Sequence, residues 1–248
     1  MLHRLPYGST EWQFGELRLP EGAGPHPAVI VIHGGGWQAS TDLAYMRPAA
    51  LHLTRRGLAT WTIEYRRMGN PGGGWPGTLD DILQATDYLL EEAAPAHGID
   101  PRRVVALGHS SGGQLAAWLG VQRPVLAGVV SLAGVLDMAA QYRLRRELGA
   151  SNYVADLLGG SPEEVPARYA AASPTRLPPP AMPVVLVHGE NDWRVPPSHS
   201  QTYHAYLQAQ GGQVELIQLP GVDHVEIFNS RLPGWEQIAS AVERLVVV

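Results

Sequence analysis

Residues 108–113, Gly-His-Ser-Ser-Gly-Gly, follow the apolar run Val104-Val105-Ala106-Leu107 and precede Gln114-Leu115-Ala116-Ala117-Trp118-Leu119, a stretch of helical character. Strand, tight Gly-x-Ser-x-Gly turn and helix, in that order, is the context in which this motif carries chemistry. The turn strains the serine and pushes its hydroxyl out at the carboxyl end of a sheet. The flanking glycines are needed where strand and helix crowd together and leave no room for a Cβ. Ser110 is therefore a candidate nucleophile, and the question becomes whether the chain supplies its partners.

Composition narrows those partners by elimination. The chain has no cysteine, and all 18 of its Lys+Arg residues are arginine. Thiolate nucleophiles, disulfides, Cys-ligated zinc, Schiff-base lysine, a Walker-type lysine and a Ser-Lys dyad are all excluded. The base for Ser110 must then come from the ten histidines. Neither a His-x-His nor an HExxH pattern is present, so no metal or organic cofactor is expected. A net charge of −5 without a basic stripe argues against nucleic acid. The start, Met1-Leu2-His3-Arg4-Leu5-Pro6, lacks the apolar core of a signal peptide, and no stretch is long enough to span a membrane. A cytoplasmic protein acting on a small molecule is the expectation; oligomeric state leaves no mark in the sequence.

The length of 248 residues suits one α/β domain. Residues 11–19 alternate polar and apolar, with Gly15 as a turn or bulge, and read as an edge strand or hairpin. Residues 28–32 are continuously apolar, as in a strand buried on both faces. A helix within 43–56, a strand over 58–65, a Gly/Pro loop over 66–77 and a helix capped by Thr78 follow, the last reaching about Ala94. Beyond the Ser110 turn come a strand over 125–132, short helical pieces within 137–175, a strand over 184–187, a helix over 198–210, a strand over 213–219 and a helix from Pro233 to about Leu245. Strands alternating with helices call for a mostly parallel sheet with helices on both faces, and 137–175 for a small cap-like insertion over the site.

Three further groups stand at predicted strand ends, where such sheets place ligands. His33-Gly34-Gly35-Gly36-Trp37 follows the first buried strand; its glycines free backbone N–H groups to face a developing oxyanion, and Gly35, Gly36 and Ser111 are the expected donors. Asp192 lies in the loop after strand 184–187, where a carboxylate can fix a histidine tautomer. His224, after strand 213–219, is the expected base, so the chain order is Ser110, Asp192, His224. Glu190 and Asp137 are the alternative acids. His33, His109 and His188 also sit at strand ends and are read as holding their loops. Trp37, Trp75 and Trp193 are candidate pocket walls, against the plainer reading that aromatic residues pack the interior.

With these motifs in hand, nearly the whole chain resembles the α/β-hydrolase superfamily, esterase/lipase group. The segments 33–37, 108–113 and 221–227 are similar to those of small bacterial carboxylesterases and of kynurenine formamidases, and 192–206 to the acid loop and helix of prolyl-oligopeptidase catalytic domains. Formamidases usually carry another residue at Gly36, which turns the loop toward the esterase side. The resemblance implies a Ser-His-Asp triad working through an acyl-enzyme. The expected function is hydrolysis of small or medium carboxylic esters. An arylformamidase, a peptidase lacking a propeller and a non-catalytic binding module of the same fold are the alternatives, since one fold hosts many chemistries.

Overall fold

The structure is a computed structural model that describes residues 1–229, 231–232 and 234–247. Its centre is two strands of opposite-facing apolar residues. In β3 (His26–Ile32), Ala28, Ile30 and Ile32 join the core on one side of the sheet, and Val29 and Val31 the core on the other. In β5 (Ile99–His109), Val104 and Ala106 pair off against Val105 and Leu107 in the same way. Side chains of a strand alternate between faces, so a run without polar residues forces a layer on each. The remaining strands are β1 (Leu2–Pro6), β2 (Phe14–Arg18), β4 (Ala59–Ile63), β6 (Gly128–Leu132), β7 (Val184–Gly189) and β8 (Val214–Leu219). They form one sheet in the order β1-β2-β4-β3-β5-β6-β7-β8, with β2 antiparallel to β1 and β4 and the pairs from β4 to β8 parallel.

One face is covered by α1 (Arg47–Arg55), which follows a short 3-10 turn, and by α9 (Gly234–Val246), through Leu53, Trp235, Ile238 and Val242. The other face carries α2 (Gly77–Tyr88), continued by a wider turn into α3 (Ala94–His97), together with α4 (Ser111–Gln122) and α8 (Ser198–Ala209). Residues Ser111 to Gly120 of α4 are all buried, which fits a helix with no polar face. Between β6 and β7 lie α5 (Met138–Glu147), α6 (Tyr153–Leu158) and α7 (Pro166–Ala172). Their Met138, Val154, Leu157 and Tyr169 belong to the same core as the sheet. The N–H of Thr175 donates to Leu136 O, and that of Met138 to Ser173 Oγ, closing the base of the segment. No helix among the described residues is long and apolar enough to cross a membrane.

Two local expectations differ, and a third falls on an undescribed residue. The hairpin near residue 15 pairs β2 with β1, a strand the alternation alone did not reveal, and Gly15 is neither turn nor bulge. It sits mid-strand because a Cβ there would fall 2.4 Å from the Trp61 ring. Thr78 does not cap α2, which begins at Gly77; its hydroxyl donates to Arg66 O instead. The last helix begins at Gly234, and the expected start at Pro233 lies outside the described residues.

The turn between β5 and α4 is as crowded as its glycines imply. A Cβ on Gly108 would lie 2.0 Å from Gly112 O, and one on Gly112 would lie 2.2 Å from Ile32 O. Both obstacles are backbone, so the first yields only if α4 moves and the second only if β3 does. Gly108→Ala is expected to cost at least about 1–3 kcal/mol by overpacking, which lowers the melting temperature by several degrees in a chain of this size. Thermal unfolding followed by circular dichroism checks this; an unchanged midpoint would mean that the turn is looser than its contacts indicate.

Candidate active site

Parallel strands deliver their carboxyl ends to one edge, and four of them bring the candidate groups there. Ser110 follows β5 at the middle of the sheet, Asp192 follows β7, His224 follows β8, and the glycine loop follows β3. Ser110 has φ 58° and ψ −121°, a conformation that costs a non-glycine residue about 1–3 kcal/mol. It is held there by its N–H donating to Leu132 O at 2.8 Å and its carbonyl accepting from Gln114 N at 3.1 Å. The chain thus turns abruptly, and the Ser110 hydroxyl faces a cavity.

The Ser110 Oγ lies 2.9 Å from His224 Nε2, and His224 Nδ1 lies 2.6 Å from Asp192 Oδ2. Aspartate only accepts, so Nδ1–H donates to it and Nε2 is left to accept the serine proton. The other carboxylate oxygen accepts the N–H groups of Arg194 and Val195, each at 2.9 Å. Burial acts to raise the Asp192 pKa, but hydrogen bonds from His188 and His224, the His224 charge and the Val195 N–H outweigh it and hold this carboxyl below the usual range. Glu190 is exposed, and Asp137 is occupied in capping α5 at Ala140 N. Asp223 accepts from Val225 and Glu226 N within its own loop. None of the three hydrogen-bonds to His224.

The other strand-end histidines each tie down one loop. His188 Nε2–H donates to Val195 O at 2.8 Å and lies 3.3 Å from Asp192 Oδ2, while Ser200 Oγ donates to its Nδ1. His33 reaches Gly34 O through Nδ1 and lies 3.0 Å from Glu64 through Nε2. His109 Nε2–H donates to the carbonyl of His224 at 2.8 Å, and its Nδ1 accepts from the Tyr45 hydroxyl. Complete burial, followed by the nearby His224 charge, pushes the His109 pKa well below the ordinary imidazole value, so the ring stays neutral. The Tyr45–His109 contact spans 64 positions and has no local sequence signal.

Gly35, Gly36 and Trp37 have φ of 108°, 63° and 56°, a run that curls the loop over the cleft. The N–H of Gly36 donates to the Ser111 hydroxyl at 3.1 Å, so this side chain pins the glycine loop to the start of α4. The backbone N–H of Ser111 opens the first turn of α4, where no intrahelical acceptor exists. Gly35, Gly36, Ser110, Ser111 and His224 all border a cavity of about 540 Å³. Trp37 also borders it, although its side chain is buried and its Nε1–H donates to Gln114 Oε1. Trp193 stands at the rim, 67 % exposed. Trp75 does not line the cavity; it packs against the core, with its N–H on Leu157 O. Tyr45, Tyr153, Arg145 and Arg194 line the cavity and escaped the sequence reading.

An alcohol, an imidazole acceptor, an ionised carboxylate and nearby backbone N–H groups can together transfer an acyl group. Asp192 stays ionised and His109 neutral across the working range, so neither adds a protonation step on the acid side, and the arrangement holds a single proton acceptor for Ser110. A plot of log kcat/KM against pH is then expected to fall toward low pH with a slope of one. A slope of two, or a flat profile down to pH 5, would contradict this arrangement.

Comparisons with known proteins bear on the same edge of the sheet. The solved structure of a truncated carbohydrate esterase from gut microbiota superposes with a TM-score of 0.85 at 23% identity, covering 99% of this chain and 95% of that one. Esterase 2 of Thermogutta terrifontis gives 0.78 at 20% identity, over 99% and 91%. In sequence, a probable isoprenylcysteine alpha-carbonyl methylesterase of Oryza sativa subsp. japonica is 24% identical over 92% of this chain. Neutral cholesterol ester hydrolase 1 of Rattus norvegicus is 34% identical over 48% of it. The chain spans 59% and 31% of the length of these two relatives. The model of one family, BD-FAE, matches residues 16–207, from β2 to the end part of α8. On that match the chain belongs to the BD-FAE family, and its mostly parallel eight-stranded sheet with helices, together with these superpositions, gives it the α/β-hydrolase fold.

Proposed function

We propose that this protein is a serine carboxylesterase acting on small or medium carboxylic esters. The observation that carries the reading is the unbroken line from Asp192 Oδ2 through the His224 ring to Ser110 Oγ, at 2.6 and 2.9 Å. In the proposed mechanism His224 takes the Ser110 proton as the hydroxyl attacks the ester carbonyl, and Asp192 orients the ring and stabilises the imidazolium. The N–H groups of Gly35, Gly36 and Ser111 receive the negative oxygen of the tetrahedral intermediate, a contribution of about 3–4 kcal/mol for a single donor. Gly36 reaches it by sharing the N–H now given to Ser111 Oγ. His224 then protonates the departing alkoxide, and water enters by the same route to release the acid.

The cavity volume falls in the range of small-molecule sites, and its Val135, Val195 and Tyr153 offer apolar contact. The relatives, a probable methylesterase and a cholesterol ester hydrolase, also favour esters over formamides.

Ser110→Ala is expected to lower kcat on p-nitrophenyl esters by about 10⁶, and Asp192→Asn by about 10⁴, with KM little changed. Steady-state kinetics on a p-nitrophenyl series from acetate to decanoate, alongside N-formylkynurenine, checks the assignment. Turnover of the formamide far above every ester would move the protein to arylformamidase, and near-wild-type activity in Ser110→Ala would remove the proposed nucleophile.

A further inference from the structure

Two arginines, Arg145 and Arg194, line the cavity beside Ser110, and no aspartate or glutamate does. This is notable in a chain whose acids outnumber its bases by 23 to 18. Among the described residues neither guanidinium has a carboxylate partner, although half of the arginines do, including Arg47, Arg56, Arg66, Arg123 and Arg244. The nearest acid, Asp192, lies behind the His224 ring with its side chain fully buried and both oxygens engaged. Positive charge on this wall is thus left for something that enters.

Arg145 is held by its side chain, and the exposed Arg194 is anchored through its backbone. Arg145, on α5, donates from Nε to Ser151 O at 3.0 Å, and its guanidinium carbon lies 4.8 Å from the centre of the Tyr153 ring. Its two terminal nitrogens remain available. Tyr153 in turn packs over Gly36, at 3.5 Å from where a Cβ would be. The Arg194 guanidinium lies 5.2 Å from the centre of a Trp193 ring. Its backbone is fixed from two sides, the N–H on Asp192 Oδ1 and the carbonyl accepting from Gln141 Nε2. Gln141 Nε2 also donates to the Tyr153 hydroxyl, so one amide couples both arginine-bearing segments. Burial raises the pKa of the Tyr153 phenol, while both guanidinium charges act in the opposite direction, consistent with their fields reaching the cavity. A planar guanidinium resting over an aromatic ring, as Arg145 does over Tyr153, loses less freedom when it pairs with a carboxylate.

We propose that Arg145 and Arg194 form an anion subsite, so that the preferred ester carries a carboxylate in addition to the bond that is cleaved. The proposal rests on the serine-esterase reading of the same site. Arg145 enters from the segment between β6 and β7 and Arg194 from the loop that carries Asp192, so the subsite draws on two separate segments of the chain. A neutral ester forgoes the charge-assisted hydrogen bonds that a carboxylate makes here, so the anionic ester is favoured.

The test compares kcat/KM for p-nitrophenyl hydrogen adipate with that for p-nitrophenyl hexanoate, placing the charge on the acyl side. 4-Acetoxybenzoate against phenyl acetate places it on the leaving group. The anionic member of at least one pair is expected to be preferred about tenfold or more. Arg145→Gln and Arg194→Gln should each reduce that ratio by about tenfold, the worth of one charge-assisted hydrogen bond. Arg145→Lys, which keeps the charge but not the planar fork, should retain only part of it, and 0.5 M NaCl should shrink it. Calorimetric titration of Ser110→Ala with monomethyl adipate and with dimethyl adipate reads recognition without turnover, so the subsite is tested even where the proposed chemistry fails. Ratios near one in both pairs, together with equal binding of the two adipates, would overturn the proposal. So would a ratio unchanged in both glutamine variants.

Discussion

The backbone of Ser110 is the constraint on which the site depends. A serine at φ 58° and ψ −121° is unfavourable in isolation, and it persists only because its surroundings leave no alternative. Glycines at 108 and 112 let β5, α4 and the end of β3 approach to distances at which a Cβ would collide with backbone. That approach brings the glycine loop over the start of α4, where Gly36 N–H meets the Ser111 hydroxyl. The strain is therefore local, while its compensation lies in the buried layers on both sides of β3 and β5.

Around this turn, histidine serves two physical ends. His33, His109 and His188 are buried and fully engaged, each closing a loop onto its neighbour. His224 differs in having one nitrogen directed at a carboxylate and the other at an alcohol. The carbonyl of that same residue accepts from His109, so its backbone is positioned independently of its ring. Holding the ring by its carboxylate and the chain by a neutral imidazole fixes the geometry before a substrate arrives, which is what pre-organisation requires.

Much of this was legible in the sequence because the fold is written in period-two runs and strand-end loops. The two-faced runs of β3 and β5 announced central strands, and the order of Ser110, Asp192 and His224 anticipated that their side chains meet. Features without a local signal were lost. β1 is a short edge strand whose residues alternate between half-buried and exposed, with little apolar pattern to read. Thr78 looked like a cap, but its hydroxyl satisfies Arg66 O in the adjacent loop, where the unpaired carbonyl needed it. Trp75 looked like a wall of the site because its loop follows a predicted strand, yet it packs inward. Tyr45, Tyr153 and Arg145 reach the cavity from segments outside the strand-end motifs, brought there by tertiary packing, while Arg194 lies in the Asp192 loop with no pattern to mark its direction.

The central claim is that Ser110 is made reactive by its turn and by His224 together. Its most direct measurement is covalent labelling of the protein with a fluorophosphonate, followed by mass spectrometry of the digested protein. The account predicts one adduct per chain, on the peptide containing Ser110, and its loss in His224→Ala. An adduct on a different residue, or no adduct on correctly folded protein, would contradict it.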